Sequence, residues 1–105
     1  MSHFNFNGVT YEFDEKGYLI TFASWSRELA QELAEVDGIA EMTNEHWRVI
    51  TYLREFQAAK GTAPMIRVMC RETGCTLQEI YDLFPKGPAK GACRVAGLPR
   101  PDSCV

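Results

Sequence analysis

The hydrophobic pattern of this chain changes period once, near Thr21, and that break restricts the folds open to it. Before the break apolar and polar residues alternate. Phe4 and Phe6 lead into Asn7-Gly8, then Val9, Tyr11 and Phe13, then a polar turn over Asp14–Gly17, then Tyr18 and Ile20. A period of two belongs to half-buried strands, and Asn-Gly tolerates the positive φ of a tight hairpin turn. The pattern predicts an antiparallel meander of two or three short strands.

After Thr21 the apolar residues recur at helical spacing between recognisable caps. Ser24 or Ser26 is expected to cap a helix running to about Val36, with Trp25, Leu29, Leu33 and Val36 as its apolar stripe and Asp37-Gly38 as its end. Thr43 or Asn44 caps a longer helix that presents Trp47, Ile50, Leu53 or the stem of Arg54, and Phe56, and stops at Lys60-Gly61. Pro64 is placed in the first turn of a third helix, Pro64–Thr73, stopped by Gly74. Thr76, with Glu79 at the capping-box position, opens a fourth whose inward residues are Leu77, Ile80, Tyr81 and Phe84. A short fifth helix begins at Pro88 and runs through Ala96 to Gly97. The predicted fold is α+β: a small N-terminal antiparallel β-meander packed on about five α-helices, the third and fourth forming a helix-turn-helix-like pair. Residues 1–105 make one domain, and residues 97–105, with two prolines and no periodicity, are expected to form a mobile C-terminal arm.

Composition excludes several classes. Hydrophobic residues at 46% and charged residues at 24% are ordinary globular usage. No apolar run approaches the roughly 18–20 residues of a membrane span, and Met1–Phe6 lacks the basic and apolar regions of a signal peptide. A cytoplasmic protein with no direct membrane insertion is expected. The net charge of -3 is unevenly placed. From Pro85 onward Lys86, Lys90, Arg94 and Arg100 face Asp102 alone, so the last 21 residues carry +3 and residues 1–84 carry -6. An acidic body does not suit nucleic acid, and a basic tail suits an anionic partner surface. The would-be recognition helix after Gly74 exposes Gln78, Glu79 and Asp82 and no cation, which disfavours a helix-turn-helix DNA-binding regulator.

The cysteines are Cys70, Cys75, Cys93 and Cys104, at gaps of 5, 18 and 11 residues, with no CxxC pair and no HxxxH pair. That spacing does not suit a structural zinc site. His3, near the N-terminus, and His46, in the first turn of the long helix, read as structural or solvated residues. Cys70 reads as core, and Cys75 as a turn residue. A cysteine near the tip of a proline-containing arm is less easily explained, because free thiols are usually buried. The eleven residues from Cys93 to Cys104 reach almost 40 Å when extended, so about that span lies within range of the tip, while a turn at Gly97 brings the two sulfurs together. A thiol presented at a distance and then attacked by a second thiol is the arrangement of an acceptor and its resolving partner.

The segment Leu83-Phe-Pro-Lys-Gly-Pro-Ala-Lys-Gly-Ala-Cys-Arg-Val-Ala-Gly-Leu-Pro-Arg-Pro-Asp-Ser-Cys-Val105 closely resembles the C-terminal signature of the DsrC family, the small proteins linked to dissimilatory sulfite reductase as its gamma subunit. Asp14-Glu-Lys-Gly-Tyr18, Glu45-His-Trp with Leu53-Arg-Glu, Ala63-Pro-Met-Ile-Arg-Val68 and Ile80-Tyr-Asp-Leu-Phe-Pro85 extend the resemblance over nearly the whole chain. Cys104 and Cys93 occupy the family's penultimate and upstream cysteine positions. The related TusE proteins, which relay sulfur for tRNA thiolation, typically lack the upstream one. Asp102-Ser103 departs from the common Thr-Gly and puts a negative charge near the tip.

The resemblance implies a sulfur carrier that is a co-substrate rather than a stand-alone enzyme. Cys104 would accept sulfite-derived sulfur at the siroheme of a sulfite reductase with alpha and beta subunits, and Cys93 would resolve it to an intramolecular trisulfide. A membrane-associated heterodisulfide-reductase-like complex would then release sulfide. The chain itself would bind no cofactor or metal. On charge, Lys86, Lys90, Arg94 and Arg100 are expected to guide the arm or lower the thiol pKa values. A TusE-like relay and an acceptor working in the oxidative direction are the alternatives.

Overall fold

The structure, a computed structural model, describes residues 2–6 and 8–99. Strands β1 (Ser2–Phe6) and β2 (Val9–Phe13) pair antiparallel, with His3 opposite Glu12 and Phe6 opposite Val9, so a two-residue connection joins them. His3 thus sits within a strand rather than on a frayed end. Past β2 the Asp14 carboxylate accepts the backbone N–H groups of Lys16 and Tyr18 at 2.9 and 3.0 Å. That turn brings Leu19 back to bridge Phe13, which is all that forms of a third strand among the described residues. Alternation along β2 buries Tyr11 and Phe13 against the helices.

Four α-helices follow: α1 (Arg27–Val36), α2 (Asn44–Lys60), α3 (Ile66–Thr73) and α4 (Leu77–Leu83), and then a π-helix over Pro88–Cys93. Ser26 caps α1, and its hydroxyl accepts the Leu29 N–H. The Thr76/Glu79 capping box forms as expected. At α2 the box is closed by a histidine. The Thr43 N–H donates to His46 Nδ1 at 3.0 Å, so the ring's Nε2 carries the proton and donates to the Leu83 carbonyl at 2.8 Å. His46 is therefore a buried structural tie between the start of α2 and the end of α4.

Leu29, Ile50, Leu53, Met69, Ile80, Phe84, Val95 and Leu98 are fully buried and make up the centre of the core. Several expected inward residues are not in it. Val36 is 79% exposed and Leu77 and Tyr81 are each 48% exposed: they lie in the end turns of short helices, and the Tyr81 ring rests against Gly87 rather than in the core. Trp25 does not belong to the α1 stripe: its backbone is extended and it precedes the cap. Pro64 does not open α3. It is buried in the core, and α3 begins two residues later, after an extended Met65.

Gly97 has φ of 74° and closes the C-terminal helical segment with a Schellman arrangement: the Leu98 N–H donates to the Cys93 carbonyl and the Gly97 N–H to the Arg94 carbonyl, both at 3.1 Å. A Cβ on residue 97 would overlap the Trp25 indole. Of the arm expected over 97–105, residues 97–99 are described, and Leu98 belongs to the core, so the packed body reaches further than the sequence pattern indicated. Gly97→Ala is expected to lose at least about 2 kcal/mol of stability from the left-handed φ and the overlap with Trp25 together. Urea unfolding of the two proteins measures it.

Candidate functional site

Cys93 ends the π-helix, which packs, as α3 does, against both α2 and α4. Gly91 allows that approach: a Cβ there would meet the Phe84 Cβ at 3.1 Å and the Lys86 carbonyl carbon at 3.3 Å. The Cys93 side chain is fully buried, and burial pushes its thiol up to about 12. This corrects the expectation that nearby cations favour its thiolate. Desolvation of the charged form outweighs them because, among the described residues, none of Lys86, Lys90 and Arg94 acts on the sulfur with its charge. Lys86 and Lys90 are exposed, and with Lys16 they line an open cavity of about 280 Å³. Arg94 and Asp37 line the same cavity, where they form an ion pair at the end of α1, and the Arg94 Nε donates to the Lys90 carbonyl at 3.2 Å. Arg94 is a fastening between the cysteine segment and α1. Arg100 and Cys104 lie outside the described residues, as do Asp102 and Ser103.

The last helical carbonyls before the tail are all satisfied. Those of Cys93 and Arg94 accept the backbone N–H groups of Leu98 and Gly97. The Val95 carbonyl accepts Trp25 Nε1–H at 2.9 Å, and the Ala96 carbonyl accepts Arg54 Nη1–H at 2.9 Å. Arg54 also donates from Nη2 to the Phe22 carbonyl at 3.0 Å, with its guanidinium 3.9 Å from the Phe22 ring centre and 4.2 Å from that of Trp25. Burial holds the Arg54 pKa below its usual value. The cation is tolerated there through aromatic faces and the negative end of a helix. Sequence reading placed only the Arg54 stem on an apolar face. The aromatic pair Phe22 and Trp25 just before the first helix cap was the available signal for the rest.

The remaining thiols sit elsewhere. Cys70, on α3, is half-buried, and its pKa is raised by burial first and by the neighbouring Cys75 second. Cys75 is buried in the connection from α3 to α4, with Arg48 Nη2 at 3.5 Å from its sulfur, so it is a packed residue rather than a chance turn residue. Helix α4 displays Gln78, Glu79 and Asp82, the first donating to the last at 3.0 Å, and carries no cation.

A family model described as "DsrC like protein" matches residues 5–105. The chain belongs to the DsrC family. It is 40% identical over 105 residues, the full length of both, to the gamma subunit of dissimilatory-type sulfite reductase from Nitratidesulfovibrio vulgaris. It is 41% identical over 107 residues to the sulfurtransferase TusE of Pectobacterium atrosepticum, covering 95% of this chain and 97% of that one. The oxidized gamma subunit of the dissimilatory sulfite reductase (DsrC) from Archaeoglobus fulgidus superposes with a TM-score of 0.85 at 40% identity, covering 99% of this chain and 100% of that one. The α+β architecture is thus the family's. No helix among the described residues is long and apolar enough to cross a membrane.

Two outcomes follow for the buried thiol. Iodoacetamide at mildly alkaline pH is expected to label Cys93 at least about a hundredfold more slowly in the folded protein than in urea, read by peptide mass mapping. The ordinary thiol value is 9.0 and the folded one about 12, so the folded state keeps the proton longer. This contribution to stability is complete below pH 9.0 and is lost as pH rises through about 12. Denaturant unfolding should therefore show a decline over that window that is shallower in Cys93→Ala.

Proposed function

We propose that the chain is a sulfur carrier acting as a protein co-substrate of a sulfite reductase, with Cys104 as acceptor and Cys93 as resolving thiol. The observation that carries this reading is the chain reversal at Gly97, which sets the Leu98 N–H on the Cys93 carbonyl. Cys104 is then only the sixth residue beyond that fixed point. Extended, six residues span about 20 Å, enough to enter another protein, and folded back they return the tip to Cys93. Membership of the DsrC family and likeness to a sulfite reductase gamma subunit support the partner.

In the proposed cycle the thiol of Cys104 takes up sulfur at the partner's siroheme, and Cys93 then closes a trisulfide. Sulfite, two thiols, two electrons from the reductase and four protons give the trisulfide and three waters. The two cysteines thereby supply the remaining electrons that carry sulfite sulfur to the bridging state. Later four-electron reduction, assigned to a heterodisulfide-reductase-like complex at the membrane, releases sulfide and restores both thiols. Burial suits Cys93 to the second step. Protonated and covered, it does not react with an empty tip, and it attacks once its segment opens. A π-helix, with wider and less favourable hydrogen bonding than an α-helix, is a fitting element to open. Lys86 and Lys90, both exposed, would guide the arm to an anionic partner surface. Arg100 would act with them from the arm.

A sulfur relay for tRNA thiolation is the second reading, supported by the TusE relatives. The two differ in what Cys93 does. Incubation with sulfite reductase, sulfite and an electron donor, followed by intact-mass measurement, is expected to add one sulfur and remove two hydrogens in the native protein. Cys93→Ala should yield no bridged form and Cys104→Ala no adduct at all. An adduct that persists in Cys104→Ala would overturn the assignment of the acceptor.

A further inference from the structure

Trp25 and Arg54 reach the base of the arm from two different elements, and neither is a local neighbour of it. Trp25 follows the 3-10 turn Phe22–Ser24, seventy residues before the Val95 carbonyl it binds, and Arg54 is on α2, forty-two residues before Ala96. Consecutive carbonyls are held by two rigid planar donors that are themselves in contact, the guanidinium lying 4.2 Å from the indole ring centre. Two bonded carbonyls in a row fix the intervening peptide planes, and so fix the direction in which the chain leaves at Gly97. Among the described residues no carboxylate pairs with Arg54; its guanidinium spends its donors on the Phe22 and Ala96 carbonyls instead. Arginine's fork can hold both carbonyls together, which a lysine ammonium at the end of a flexible stem does not reproduce.

We infer that Trp25 and Arg54 are positioning residues for the thiol chemistry: by pinning the Val95 and Ala96 carbonyls they hold closed the helix end at Gly97 and Leu98 from which the arm leaves, and so keep the free chain between Cys93 and Cys104 short. The inference rests on the sulfur-carrier reading above. It separates two motions. Cys93 is exposed by opening of the π-helix on its N-terminal side, while the clamp on its C-terminal side stays closed and keeps the arm's root in place. Where loss of the clamp lets the helix end and its Leu98–Cys93 bond open, the free chain lengthens from the six residues after Leu98 to the eleven after Cys93. On loop-closure statistics that lowers the effective concentration of one thiol at the other by about two- to threefold before any loss of direction is counted.

The test is the equilibrium of the full chain with glutathione, in which two thiols and glutathione disulfide give the Cys93–Cys104 disulfide and two reduced glutathiones. Acid-quenched, alkylated samples are read by peptide mass. Trp25→Phe, which keeps the ring and removes the N–H, and Arg54→Lys are compared with the native protein. Leu33→Ala, a core truncation in α1, serves as the control for lost stability. Both clamp variants are expected to lower the equilibrium constant at least two- to threefold, and Leu33→Ala to leave it unchanged at a temperature where all four proteins are folded by circular dichroism. An unchanged constant in Trp25→Phe, or an equal fall in Leu33→Ala, would overturn the positioning role and leave the carrier reading standing. Failure of the native protein to form the disulfide at all would overturn the carrier reading, and this inference with it.

Discussion

The closure of the helical segment that ends at Ala96 is the constraint on which the rest of the molecule turns. A helix end leaves carbonyls without partners, and in a buried position each unpaired carbonyl costs about 1–3 kcal/mol. Here the end is buried: Val95, Ala96 and Leu98 are fully covered. Satisfying it takes the Gly97 reversal for two carbonyls and the Trp25 indole and Arg54 guanidinium for the other two. The meander's connection, the longest helix and the root of the tail are thereby joined at one place. Cys93 occupies the first position of that closure, through its carbonyl bond with Leu98.

Burial and charge compete at Cys93, and burial prevails. Cations within a few residues in sequence do not act on a sulfur they do not face: Arg94 is engaged by Asp37, and Lys86 and Lys90 extend into solvent. A thiol held neutral beneath the surface is protected from chance oxidation and alkylation, which suits the resolving role proposed for it. In that proposal access is a conformational matter, and the π-helix over Pro88–Cys93 is the element that would open.

Local patterns carried the fold a long way. The change of period at Thr21, the caps at Ser26, Thr43 and Thr76 and the stops at Gly61, Gly74 and Gly97 are short-range physics, and each element appears near its expected place. What failed was periodicity extended past the packing that makes it meaningful: Val36 and Leu77 continue a stripe that is left exposed, and Tyr81 is half exposed with its ring against Gly87 rather than in the core. Trp25 was misread for a related reason, since its spacing to Leu29 is helical although its backbone is extended. The tie from His46 to α4 was not legible, and the clamp role of Arg54 was signalled only by the Phe22 and Trp25 pair, because the carbonyls that define these roles, Leu83, Phe22 and Ala96, lie 37, 32 and 42 residues away. The pairing of Cys93 with Cys104 is an expectation from spacing and resemblance, with Cys104 outside the described residues, whereas the structure shows Cys93 as the small core residue that a cysteine on a short helix can also be.

Native-state hydrogen exchange tests the central claim most directly, because an ordinary helix end frays while a closed one does not. The account predicts that the amides of Ala96, Gly97 and Leu98 exchange only through global unfolding, with protection equal to the unfolding free energy measured by denaturant. Exchange at those three amides through low-energy local opening, as in a frayed terminus, would contradict it.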